Sequence, residues 1–87
     1  MNRLDGKTAI VTGASMGIGR AIAQRLYAEG ARLVLVSRGV EAGEQLAAEL
    51  GPRARFLPGS VDDPELGERA VAAAAEHGGV DVLVNNA

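Results

Sequence analysis

Apolar residues in this chain follow two rhythms that take turns. Residues 8–11 (Thr-Ala-Ile-Val) form a short β-rich run. In residues 17–29, Ile18, Ile22 and Leu26 recur every four positions with Ala21 and Ala28 beside them, the period of an amphipathic helix. Gly30 stands where a left-handed helix cap is expected. Residues 33–36 (Leu-Val-Leu-Val) lack the polar alternation of a strand with one wet face, which suits a parallel strand covered on both sides. After a break at Ser37-Arg38-Gly39, residues 41–50 read as a helix with Leu46, Ala47 and Leu50 on one face, stopped by Gly51-Pro52.

Residues 54–57 give a third short strand. Asp63-Pro64-Glu65 then supplies an N-cap, a proline at the first helical position and an acid in the first turn. The helix it opens carries Leu66, Ala70, Val71, Ala74 and His77 at helical spacing, includes the alanine run 72–75, and closes at Gly78-Gly79. Residues 80–84 make a fourth strand. The order β-α-β-α-β-α-β, with helices in the crossovers, forces parallel pairing and right-handed connections. The chemistry of the turn after the first strand puts that strand in the middle, strands two and three stepping out on one side and strand four on the other. The predicted class is α/β with strand order 3-2-1-4, and the expected ligand site is the crevice above strands one and four, where the order reverses.

That turn is Thr12-Gly13-Ala14-Ser15-Met16-Gly17-Ile18-Gly19. Three glycines at these spacings let the chain bend sharply, let backbone approach a pyrophosphate, and aim the unpaired N–H groups of a helix start at negative charge. No Lys-Ser or Lys-Thr follows the last glycine, so the segment is not a P-loop.

Composition narrows the setting. Eighty-seven residues without repeat, linker or composition shift suggest one unit over residues 1–87. A net charge of −2, with nine Lys and Arg residues scattered along the chain, offers no basic field for nucleic acid or an anionic membrane. Cysteine is absent, which removes disulfides and thiolate metal sites. No signal-peptide stretch or run of about 18 apolar residues is present, and the expectation is a soluble cytoplasmic chain. His77 lacks partners at metal spacing and reads as a helix-end imidazole, so no metal site is expected. Tyr27 has no lysine four residues later and reads as a packing or surface residue. Asp81 reads as a strand-start residue.

Asp5-Gly6-Lys7, the Thr-Gly-x-x-x-Gly-Ile-Gly turn and Asn85-Asn86-Ala87 after an apolar strand resemble the amino-terminal half of a short-chain dehydrogenase/reductase of the classical type. The likeness spans nearly the whole chain, and the joint pattern is far more specific than a glycine-rich turn alone. It implies a Rossmann-like doubly wound parallel sheet, truncated before its second half. By the resemblance, the backbone of Gly13, Ala14, Ser15, Met16, Gly17, Ile18 and Gly19 would face the pyrophosphate and adenine ribose. Ser15 would add a hydroxyl and Ile18 would lie near the nicotinamide half.

In this family an acid after strand two hydrogen-bonds both ribose hydroxyls and repels a 2′-phosphate. Here that position is Ser37, followed by Arg38. Without the carboxylate the repulsion is gone, and a guanidinium can grip phosphate oxygens through two parallel N–H bonds. The implied cofactor is NADP(H), with NAD(H) second. Met16 departs from the basic residue often found at its position in NADP-using relatives. Ser60-Val61 stands where many relatives have Asp-Val against the adenine, and serine makes a weaker hydrogen bond there. Asp62 and Asp63 are expected to cap the following helix. Asn85 and Asn86 read structurally as amides that tie neighbouring backbone at the end of a buried strand, and by the resemblance Asn86 and Ala87 would also line the adenosine ribose.

The family's catalytic serine, and the tyrosine and lysine four apart, have no counterpart in these 87 residues, so no catalytic residue is assigned. The resemblance implies an NADP(H)-linked alcohol/carbonyl oxidoreductase in the complete protein, with this chain as its cofactor-binding part. It also leaves residues 80–84 as an apolar edge open to self-association. The alternative is a non-catalytic nucleotide-binding or sheet-completing assembly module.

Overall fold

The computed structural model describes residues 3–14, 17–60, 62–76 and 78–85. In chain order the elements are β1 (Thr8–Thr12), α1 (Gly17–Ala28), β2 (Arg32–Ser37), α2 (Val40–Leu50), β3 (Ala54–Pro58), α3 (Pro64–Ala75) and β4 (Val82–Val84). The strands form one sheet in the order β3-β2-β1-β4, and all three pairings are parallel. In register, Thr8 pairs with Arg32, Thr12 with Val36, Val11 with Val84 and Ser37 with Pro58. All four strands therefore run out at the same edge.

Helices cover both faces. Ala9, Val11, Leu33 and Leu35 pack with Ala23 of α1 and Leu46 of α2, while Ile10, Val34 and Val36 pack with Leu66, Ala70, Ala73 and Ala74 of α3. The unbroken apolar run of β2 is explained by this arrangement, since every position from Leu33 to Ser37 is buried. Strands β3 and β4, at the sheet edges, are only half-buried.

The inward face of α1 departs from the sequence expectation. Ile18 is 71% exposed, and the buried positions are Gly19 and Ala23, with Leu26 and Tyr27 partly buried beside them. Small residues, Gly19 and Ala23, take the buried face of this helix, and Ile18 is turned outward. Val71, counted on the apolar stripe of α3, is likewise exposed, the stripe being Leu66, Ala70, Ala73 and Ala74. Strand four begins at Val82 rather than Val80. The Asp81 carboxylate accepts the Thr8 N–H at 2.9 Å, while the Asp81 N–H donates to the Thr8 carbonyl at 2.9 Å. Asp81 is thus the strand-start residue expected, tying the beginnings of β1 and β4 together.

Helix ends follow the sequence signals. Gly30 (φ 101°) ends α1, its N–H donating to the Tyr27 carbonyl and the Ala31 N–H to the Leu26 carbonyl, the paired bonds of a Schellman cap. Gly78 and Gly79 repeat the pattern on the carbonyls of Ala75 and Ala74. Of the two aspartates read as caps, Asp63 performs the role by accepting the Glu65 N–H at 2.9 Å, with Pro64 following it. Asp62 instead gives its N–H to the Ser60 hydroxyl. Asp63→Ala is expected to cost about 0.5–2 kcal/mol, measured as a lower urea midpoint with unchanged slope.

Two contacts fix α1 and α2 against β3 and the loop before it. Arg53 stacks on the Tyr27 ring at 3.9 Å and donates to the carbonyls of Tyr27 (3.2 Å) and Ala31 (2.8 Å). Tyr27 is therefore a packing residue. Gly43 of α2 meets the Phe56 ring of β3 so closely that a methyl group would have no room there. That glycine brings α2 down onto the edge strand.

Candidate functional site

The carboxyl edge of the sheet gathers four chain segments in one line. In spatial order they are Gly59-Ser60 after β3, Ser37-Arg38 at the end of β2, the glycine turn after β1, and Asn85 after β4. Neighbouring strands lie about 4.8 Å apart, so this row is a few residues wide and a ligand lying across it touches several segments at once.

The turn is held in place by backbone. Gly13 (φ 62°) and Gly17 (φ 60°) take left-handed conformations that residues with a side chain rarely adopt. The buried Ala14 donates its N–H to the Val36 carbonyl at 3.3 Å, pinning the turn to β2. A Cβ built on Gly17 meets nothing within 4 Å, so the space before the helix start is open. No acidic side chain stands in the first turn of α1, so its partial positive charge is not neutralised from within. Gly19, also in this first turn, is buried. A diphosphate fits this cradle, meeting open space, backbone donors and a helix N-terminus together.

Beside the turn, Ser37 is buried and its hydroxyl accepts the Gly39 N–H at 3.0 Å. That bond shapes the β2–α2 turn, and the next side chain, Arg38, is exposed. Arg38 makes no ion pair or hydrogen bond with the described residues, unlike Arg20, which pairs with Glu49 at 2.6 Å. The Ser37 carbonyl accepts the Gly59 N–H at 2.9 Å, joining the ends of β2 and β3. The half-buried Ser60 follows, its hydroxyl accepting the Asp62 N–H at 3.2 Å.

On the other side, the Thr12 hydroxyl lies 3.1 Å from Asn85 Oδ1 and 3.3 Å from the Val84 carbonyl. The Asn85 amide oxygen thus meets the side chain of Thr12 rather than the neighbouring backbone expected from the sequence, joining the ends of β4 and β1. The sequence pattern includes Thr12 as the first residue of the glycine turn but gives its hydroxyl no role, because the distant group it meets leaves no trace in local spacing. The structure brings Gly13, Ala14, Gly17, Ile18, Gly19, Ser37, Arg38 and Ser60 to one edge. Ser15, Met16, Val61, Asn86 and Ala87 lie outside the described residues.

With this geometry in view, the comparison with known proteins is direct. The family pattern described as short chain dehydrogenase matches residues 7–87. The chain belongs to the short-chain dehydrogenase family. It is 45% identical over 86 residues to a sorbitol dehydrogenase of Cereibacter sphaeroides, covering 98% of this chain and 34% of that protein. Among solved short-chain dehydrogenases, it is similar to a glucose/ribitol dehydrogenase of Brucella melitensis, with TM-score 0.87 and 38% identity over 93% of this chain and 35% of the other. A 3-ketoacyl-(acyl-carrier-protein) reductase of Brucella melitensis, solved in complex with NADH, gives TM-score 0.84 and 36% identity over 92% of this chain and 33% of that one. The chain spans about a third of the length of the relatives it matches, and carries the family's Rossmann fold with its glycine turn.

Proposed function

We propose that residues 1–87 form one dinucleotide-binding half-domain that takes NADP(H) in preference to NAD(H). It would serve an alcohol/carbonyl oxidoreductase whose catalytic serine, tyrosine and lysine are not among these residues. The observation that carries the reading is the combination of an open glycine cradle at the end of β1 with an uncharged Ser37 and an Arg38 that pairs with none of the described residues, one strand away.

Each residue has a distinct task. The backbone of residues 13–19 would hold the diphosphate, with the start of α1 supplying N–H donors. Ser37, its hydroxyl already engaged by Gly39, shapes the turn that presents Arg38 and leaves the position without negative charge. Arg38 would take the ribose 2′-phosphate as a bidentate charge pair. Ser60 and Val61 would flank the adenine, and Asn86 and Ala87 the adenosine ribose. The bound nicotinamide would supply hydride chemistry, while this chain's contribution is to hold and orient it.

Calorimetry with NADPH and NADH tests the specificity. Arg38→Ala is expected to weaken NADPH by about 1.5–3 kcal/mol, the range for a hydrogen bond to a charged group, and to leave NADH nearly unchanged. Equal losses for both cofactors would remove Arg38 from phosphate recognition.

A second reading, self-association by completing the sheet through residues 80–84, is favoured by one feature. Leu83, on the β4 edge, is 64% exposed and lines an apolar groove of about 460 Å³ with Ile10, Val36, Leu66 and Val71. A concentration-dependent dimer of this chain without cofactor binding would support it over the first.

A further inference from the structure

At the amino end of the sheet, opposite the glycine turn, a pocket of about 230 Å³ is lined by Thr8, Arg32, Val34, Arg53, Arg55 and Ala73. Strand alternation puts Thr8 and Ile10 of β1 on the α3 face, together with Arg32 and Val34 of β2 and Arg55 and Leu57 of β3. Thr8 and Arg32 are register partners on adjacent strands, and Arg55 is the partner of Val34. Two arginines and a threonine therefore share one corner of the sheet.

Thr8 is the unusual member. It is 0% exposed, and its hydroxyl has no hydrogen-bond partner among the described residues. A buried hydroxyl left unpaired costs about 1–3 kcal/mol, so such a group in a folded chain asks for a partner supplied from outside. The surrounding charges indicate which kind. Arg53 is engaged by the Tyr27 and Ala31 carbonyls, Arg55 is paired with Glu76 at 3.0 Å, and Asp81 is occupied by the Thr8 N–H. Arg32 is exposed and pairs with no described side chain. Three guanidiniums face two carboxylates here, and the unpaired cation lies beside the unpaired hydroxyl.

We infer that this pocket binds a phosphate-type oxyanion, held by Arg32 and Arg55 with the Thr8 hydroxyl as a further donor, at a site separate from the dinucleotide crevice. Arg32 is the wall that moves, rotating outward so that the anion reaches Thr8 Oγ and is gripped by the guanidinium. A guanidinium fork and a hydroxyl match the tetrahedral oxygens of phosphate.

The test is a titration of the full chain with inorganic phosphate, followed by amide shifts and thermal melting, with sulfate and chloride as comparison anions. Saturable shifts at Thr8, Leu33 and Ala54 are expected, following a titration curve distinct from any shifts at Gly13 or Arg38 and persisting in the Arg38→Ala variant. Arg32→Gln should weaken the affinity about tenfold, the loss of one charge-assisted bond. Phosphate stabilises folded proteins generally by exclusion from their surface, so the decisive comparison is with Thr8→Val. This variant should melt higher than the native chain without phosphate and gain less from its addition. No shift at the Thr8 corner, unsaturating shifts equal for all three anions, or an unchanged response in both variants would overturn the site.

Discussion

Valine at Gly17 is expected to abolish measurable dinucleotide binding while leaving the chain folded. The residue sits at φ 60°, where a side chain costs about 1–2 kcal/mol, and β-branching adds to the strain. Its Cβ would meet nothing of the protein within 4 Å, so no packing is lost. The same empty volume is where the diphosphate would approach the backbone, and branched methyl groups there hold it away from the N–H donors. A loss of at least about 100-fold in affinity by calorimetry, against a modest fall in melting temperature, is the expected signature. Binding retained within about tenfold of the native chain would mean that the diphosphate lies elsewhere.

Leu35→Ala is expected to have the largest effect on stability. Leu35 is 0% exposed at the centre of β2, packed in the cluster formed with α1 and α2. Emptying such a site costs about 2–5 kcal/mol. Chains of this length have a total stability of roughly 4–13 kcal/mol, at about 0.05–0.15 kcal/mol per residue, so one truncation removes a large part of it. Urea denaturation of the variant should show a much lower midpoint or no folded baseline at 37 °C. Leu83→Ala, on the exposed edge, should change stability by less than about 0.5 kcal/mol and serves as the control. A cost below about 1 kcal/mol at Leu35 would contradict its place in the core.

The order of strands and helices was legible because each signal is local. The four-residue run 33–36 suits a strand buried on both faces, Gly30 and Gly78-Gly79 sit where helices stop, and Asp63-Pro64 opens a helix in the expected way. Strand order was legible through the glycine turn, which places β1 at the point of reversal. What stayed hidden depends on contacts between distant segments. In the first turns of α1, hydrophobic spacing favours Ile18 for the inner face, whereas the packed fold buries the small residues Gly19 and Ala23 there. The clearance between Gly43 and Phe56 has no signature in either neighbourhood, since it arises only when α2 lies on β3. At the candidate site, the residue types at positions 13–19 and 37–38 were readable. That Ser37 closes its own turn, and that Thr12 anchors Asn85, were not.

The bond between Asp81 and the Thr8 N–H joins residues 73 positions apart. Strand β1 therefore acquires its second neighbour only after three helices and two further strands have been synthesised. Strands β1, β2 and β3 can assemble progressively as they appear, whereas the β1–β4 seam closes across a long loop and pays its entropy at the end. During translation, one side of β1 stays unzipped throughout this interval, and nascent chains are most vulnerable to mispairing there.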